Sequence, residues 1–154
     1  MSKTRILGDN LILSASYDDG TTYEAIGIAT EHTLTINQDS IDAACKEDGV
    51  WNNAIPGNLS WSVSVSGLHA MASDGTSTFT KIFGLQKSRA KIRLKIYLRD
   101  SADIESPDTT TDSYVYEGEA SIDSLEQSAS KGAVATFSAS FTGAGELTEK
   151  LNDV

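Results

Sequence analysis

Apolar and polar residues alternate with a period of two over most of this chain, the spacing of strands that bury one face and wet the other. In "LILSASY", Leu11, Leu13, Ala15 and Tyr17 alternate with Ile12, Ser14 and Ser16. "DDGTT" then supplies the Asp and Gly that a hairpin turn needs, so that "YEAIGIAT" returns as a second strand. "TLTIN" reads as a short strand. "LSWSVSVSG" sets Trp61, Val63 and Val65 against Ser62, Ser64 and Ser66. "KIRLKIYLR" sets Ile92, Leu94, Ile96 and Leu98 against the basic face of Lys91, Arg93, Lys95 and Arg99. In "YVYEGEASIDS", Tyr114, Tyr116, Ala120 and Ile122 share one face, and Val115, Glu117, Glu119, Ser121 and Asp123 the other. "VATFSASFTG" buries Ala135, Phe137, Ala139 and Phe141. The pattern predicts a mainly β protein, an antiparallel β-sandwich or barrel with one wet surface.

Two kinds of segment break the alternation. "STFTKIFGLQKSR" spaces Phe79, Ile82 and Phe83 at i, i+3 and i+4, with oxygens from Ser73, Asp74 and Thr76 ahead of it to cap a helix. Gly84 inside it costs about 1 kcal/mol relative to alanine, so this one short α-helix depends on packing its aromatic face against a sheet. The stretches at about 38–58 and 100–112 lack periodicity and read as a long polar connection and an exposed loop. The first holds Trp51 among Lys, Asp, Asn and Gly, where no strand or helix is expected to bury it.

Composition narrows the possible functions. A chain of 154 residues suits one domain, 1–154, and a domain of that size hides about 68–70% of its unfolded surface. With 22 acidic and 12 basic side chains the formal charge is −10, which argues against a phosphate-gripping nucleic-acid binder. "MSKTRILGDN" lacks the apolar run of a signal peptide, and no run of about 18 apolar residues is present to span a bilayer, so a soluble protein made in a cytoplasm is expected. Cys45 is the only thiol, which leaves no internal disulfide and no Cys-based zinc site.

No catalytic constellation emerges. His32 and His69 have no acid or nucleophile at a recognisable spacing, and phosphate-loop, nucleophile-elbow and paired metal-binding histidine motifs are absent from the sequence. "DSADIE" lacks the central glycine and distal glutamate of a calcium loop. Glu117 and Glu119 share a strand face, as solvated carboxylates commonly do. Neither enzymatic activity nor a cofactor is expected.

The order of residues from 36 to 67 resembles one family. "INQDSIDAACKEDGVWNNAIPGNLSWSVSVSG" is similar to a region of the major tail tube proteins of long-tailed bacteriophages. There, an Ile-Asp step (Ile41, Asp42), a Lys with acidic neighbours (Lys46 to Gly49), an aromatic residue (Trp51), a Pro-Gly turn (Pro56, Gly57) and a Ser-alternating strand follow in that order. "GEASIDSLEQSASKGAVATFSASFTGAGELT" resembles the family's ending, which closes with Gly-x-Gly at Gly143 and Gly145. The likeness runs from about residue 10 to 148. "AAC" at Ala43 to Cys45 departs from it, and the 100–112 loop matches nothing in it.

The resemblance implies a fold of the tail-tube type and a structural virion protein. Homohexameric rings would share a continuous inner barrel and stack into a tube that conducts DNA into the host without binding it. Partners would be further copies, tape-measure, tail-terminator and baseplate proteins. The site would be the virion tail, after assembly in the host bacterial cytoplasm. Beyond the resemblance, the strand face that carries Glu117, Glu119 and Asp123 is expected to line the lumen. Contacts between subunits or rings would fall on Asp42, Lys46, Trp51 and Pro56 in the loop, and the basic face with Lys91, Arg93 and Lys95 is expected to meet carboxylates of a neighbouring strand or of a neighbouring subunit. Two alternatives remain open from the sequence: the inner tube of a contractile tail or injection apparatus, and a monomeric carbohydrate-binding β-sandwich that uses exposed aromatics as sugar platforms.

Overall fold

The computed structural model describes residues 11–98 and 115–150, apart from 19–20, 22, 27, 46–48 and 72. The expected loop at 100–112, Lys46, Arg99 and Tyr114 lie outside the described residues. In chain order the elements are β1 (Leu11–Ser16), β2 (Glu24–Ala25), β3 (Ile28–Asp42), β4 (Ala54–Leu68), α1 (Thr78–Lys87), β5 (Ile92–Leu98), β6 (Val115–Ser128), β7 (Thr136–Gly143) and β8 (Thr148–Lys150).

All strand pairs are antiparallel, in the order β2-β1-β5-β6-β7-β4-β3, with β8 also on β6. β6 belongs to both halves. Its Val115–Ala120 part pairs with β5, its Ala120–Ser128 part pairs with β7, and Ala120 is opposite both Ile92 and Gly143. The sheet curls about this shared strand into a half-barrel. The alternating apolar residues of both halves then meet inside the curl: Leu13 and Ala15 from β1, Ile92, Leu94 and Ile96 from β5, Val63 and Val65 from β4, Phe137 and Phe141 from β7. Each fully buried Phe or Ile in such a core contributes about 1.5–3 kcal/mol.

Trp61 is the largest core residue, and two glycines make room for it. A Cβ on Gly143 would overlap the indole, and one on Gly118 would sit 2.5 Å from it. The indole Nε1 donates to the Gly145 carbonyl at 2.9 Å, so the Gly-x-Gly ending houses and anchors this side chain.

The helix is present, with two differences from expectation. Its N-cap is Ser77, whose hydroxyl accepts from the Thr80 amide at 3.2 Å, because Asp74 is already engaged by the Thr76 amide and hydroxyl in the preceding turn. Ile82 is the buried anchor and Phe79 packs partly against the core, whereas Phe83 is exposed with the Lys87 ammonium over its ring.

Two boundary expectations are also corrected. "TLTIN" is the middle of a fifteen-residue strand, and the connection expected at about 38–58 narrows to 43–53 because β3 and β4 pair out to Asp42 and Ala54. Pro56 and Gly57 make no turn. They lie inside β4 beside a bulge where the register steps from Gln38↔Leu59 to Ser40↔Pro56, a place where a strand tolerates the missing proline N–H.

His32 is half-buried opposite Val65 on the core side of β3, and burial holds its pKa below the ordinary value. A base with a lowered folded pKa is protonated more readily in the unfolded chain. Stability on this account is complete at neutral pH and falls as pH drops through the unfolded value, near 6.5. His32→Gln is expected to flatten that part of a thermal-melting series run from pH 8 to 5, and an unchanged acid slope would assign the loss to other groups.

Candidate functional site

Outside the core, strands β3, β4, β7 and β6 present a continuous polar face. The register sorts it into three rows: Thr35, Ser62, Thr142 and Ser121; then Thr33, Ser64, Ser140 and Ser124; then Glu31, Ser66, Ser138 and Glu126. Opposed residues share a face, so each row runs across four strands. The hydroxyls bond laterally, with Ser124 Oγ 2.8 Å from Ser140 Oγ and Ser138 donating to Glu126 at 3.4 Å. Twelve positions in these rows carry ten hydroxyls, two carboxylates and no basic side chain.

Asp123 joins this face through a bulge. Between Ile122↔Phe141 and Ser124↔Ser140, β6 advances two residues while β7 advances one, so Asp123 is extra and accepts a hydrogen bond from the Thr142 hydroxyl. The bulge shifts the alternation by one. This brings Ser124 and Glu126 onto the polar face and Leu125 onto the core side.

Glu117 and Glu119 precede this point and belong to the other half of the sheet. The register sets Lys95 opposite Glu117 and Arg93 opposite Glu119 on the β5–β6 pair. Tyr23 lies across them: its hydroxyl donates to Glu117 Oε1 at 2.8 Å, and the Lys95 ammonium sits 4.1 Å from its ring centroid. Burial, and then Glu117, push the Tyr23 phenol up to about 12. Lys95 is only 7% exposed. Of the two neighbours expected for the basic strand, the register shows the adjacent strand of the same chain for Arg93 and Lys95; Lys91 precedes β5 and is exposed.

The other prominent surface is the β3–β4 hairpin. β4 leaves β7 at Ser62↔Thr142, while the β3–β4 ladder continues from Thr35↔Ser62 to Asp42↔Ala54. At roughly 3.3 Å per residue this makes an arm about 23 Å long beyond the body of the sheet. The arm carries large apolar side chains that nothing among the described residues covers. Ile36 and Leu59 continue the Trp61 side, Ile41 pairs with Ile55 past the bulge, and Val50 and Trp51 stand at the tip, Trp51 81% exposed. Asp42, Trp51 and Pro56 of the expected contact set therefore gather on this arm, Asp42 accepting from the Ala44 amide at 3.0 Å.

Several backbone edges are open among the described residues: β3 and β2 end the strand order, β8 pairs only with β6, and on the β5 side of β6 no strand pairs beyond Ala120. Among the described residues no group of three or more His, Cys, Asp and Glu could hold a metal ion, and no helix is long and apolar enough to cross a membrane.

Comparisons with known proteins agree with this architecture. A search of curated protein sequences returns no match. Among solved structures, the tail of an empty gene transfer agent (GTA) particle, refined with helical and C6 symmetry, superposes with a TM-score of 0.76 at 17% identity, covering 94% of this chain and 98% of that one. The SPP1 tail tube gives 0.69 at 16% identity, covering 96% and 80%. The anti-feeding prophage (AFP) baseplate gives 0.63 at 11% identity, covering 97% of both chains. The family described as phage tail tube protein matches residues 6–149. A half-barrel with open strand edges, a projecting arm and a hydroxyl-lined face is thus the form taken here by a chain that belongs to the phage tail tube protein family.

Proposed function

We propose that copies of this chain close into a ring by pairing the open edge of β6, from Ser121 to Ser128, with the open edge of β3 in the next copy, and that rings stack into a tube that conducts DNA. The carrying observation is the strand order. In β6-β7-β4-β3 each neighbour reverses direction, so the two outer strands run oppositely. Copies related by rotation about one axis then meet edge to edge as an antiparallel pair, and the ladder continues around the ring without an exposed edge. The C6 symmetry of the GTA tail supports six copies per ring.

The hydroxyl rows then line the channel. Affinity for duplex DNA comes chiefly from Lys and Arg against phosphates. A wall of Ser and Thr with Glu31, Asp123 and Glu126 offers none, so DNA slides past. In this arrangement Asp123 faces the lumen, while Glu117 and Glu119, on the other half of the curled sheet beneath Tyr23, face outward with Arg93 and Lys95. Tape-measure, tail-terminator and baseplate proteins complete the set of partners, and the assembled product is the virion tail, built in the host bacterial cytoplasm.

Negative-stain electron microscopy of the purified chain over a concentration series tests the assembly: hollow tubes or six-fold rings are expected, and dispersed monomers at every concentration would refute it. Glu31→Lys/Glu126→Lys tests the lumen. Tubes of the variant are expected to retain labelled duplex DNA at low salt and release it as salt rises, whereas wild-type tubes retain none. Equal retention by both would remove these carboxylates from the channel wall.

A further inference from the structure

We infer that the C-terminal end of α1, with Phe83, Lys87, Arg89 and Lys91, is a binding site for anionic lipid surfaces on the outer wall; its outward placement and repetition rest on the tube reading above. Charge is segregated along this chain. Residues 75–99 hold seven of the 12 basic side chains and no acidic one, whereas the rest holds all 22 acidic side chains against five basic ones. Part of the basic segment is answered within the chain: Lys81 pairs with Glu24 at 2.7 Å, and Arg93 and Lys95 lie opposite Glu119 and Glu117. Lys87, Arg89 and Lys91 remain. They fall in the exposed run 87–91, and none of them forms an ion pair among the described residues. The Lys87 ammonium sits 5.4 Å from the centroid of the exposed Phe83 ring. Arg89 is the informative member. The Arg89 amide donates to the Gln86 carbonyl at 3.2 Å and the Ala90 amide to the Leu85 carbonyl at 3.0 Å, a helix ending that holds Arg89 at φ 58°. Glycine takes that conformation freely and a side chain strains it, so an arginine there adds charge to the corner and strain to the fold.

The corner fits a bilayer surface. α1 buries Ile82 and packs on β6 from the core side, away from the hydroxyl rows, so its exposed face looks away from the channel. An aromatic ring among cations, on a corner that projects, matches the boundary where lipid phosphates meet acyl chains. Carboxylates on the neighbouring elements are turned elsewhere. Glu119 is opposite Arg93, Asp123 and Glu126 lie on the hydroxyl face, and Asp74 precedes the other end of α1, about 15 Å along its axis. Charges act over about 8 Å at physiological ionic strength, so the acidic remainder of the chain does not cancel this cluster. Each cation raises partition onto an anionic surface about five-fold, which makes one copy a weak binder and a tube with six copies in every ring a firm one.

The test is flotation of tubes, checked by electron microscopy, with vesicles of phosphatidylglycerol and phosphatidylcholine. Wild-type tubes are expected to float with these vesicles at low salt, to be released as salt rises, and to stay down with phosphatidylcholine alone. Lys87→Glu/Arg89→Glu is expected to abolish flotation and leave the tubes intact. Arg89→Gly is expected to weaken partition about five-fold or more without lowering the unfolding midpoint, a split that a structural role for the arginine does not produce. Phe83→Ser is expected to lower binding several-fold with the same dependence on salt. Wild-type tubes that do not float, or a charge-reversed variant that floats as well as wild type, would overturn the inference. Unaltered binding by Phe83→Ser, or duplex DNA bound as well as these vesicles, would make the corner a general polyanion site and overturn the lipid assignment. Loss of tubes in the charge-reversed variant would give the corner to a second copy instead. A wild-type chain that forms no tubes would remove the tube reading itself, and this inference with it.

Discussion

Gly143→Ala is expected to lower the stability of the monomer by about 2–4 kcal/mol, a large share of the total for a domain of this size. The added Cβ would overlap the Trp61 indole, whose other flank is closed by Gly118 and Leu147. The ring cannot move aside without opening the Nε1 bond to Gly145. Overpacking of this kind costs about 1–3 kcal/mol and the lost hydrogen bond about 1 more. Denaturant unfolding of the monomer measures it. Gly84→Ala is the matched control, because a Cβ there meets nothing within 4 Å and the residue is helical, so that change is neutral or stabilising. A Gly143→Ala midpoint indistinguishable from wild type would mean that the indole does not depend on this seat.

Trp51→Ala is expected to abolish tube formation and leave the monomer's unfolding curve within about 0.5 kcal/mol of wild type, as for other exposed positions away from the core. A central aromatic contact contributes about 2 kcal/mol or more to an interface. Repeated around a ring of six, such a loss comes to about 12 kcal/mol per junction, far beyond what a higher protein concentration restores. Sedimentation and electron microscopy give the assembly readout, and circular dichroism gives the fold. Unfolding of the monomer would show that Trp51 packs on its own sheet in solution, contrary to its 81% exposure here.

The strands that pack one face on the core were legible because burial writes alternation into them: Trp61 to Val65, Ile92 to Ile96 and Phe137 to Phe141 all fall where the pattern set them. The arm was not legible for the same reason. From Gln38 to Asp42 both faces are exposed, so nothing in one chain selects apolar or polar residues by parity, and the strand reads as a loop. Bulges hid the rest. Pro56–Gly57 carries the composition of a turn, and Asp123 displaces the phase of β6 by one, so Glu126 could not be assigned to the hydroxyl face by counting from Glu117. The grouping of Tyr23 with Glu117 joins residues 94 apart in sequence and leaves no local trace. The Ser-alternating faces of β4 and β7 were visible singly, but only the register shows that they adjoin.

The continuous passage of β6 from one half of the sheet to the other has a mechanical meaning. In a stacked tube the channel wall and the outer layer would be spliced by a covalent strand in every copy, and at Ala120 that strand is gripped from both sides, by Ile92 and by Gly143. Shear between wall and outer layer then loads peptide bonds as well as the hydrogen bonds beside them. A flexing tail would take up its curvature at the junctions between rings and keep the bore of each ring constant, so that a bent tail still delivers its cargo.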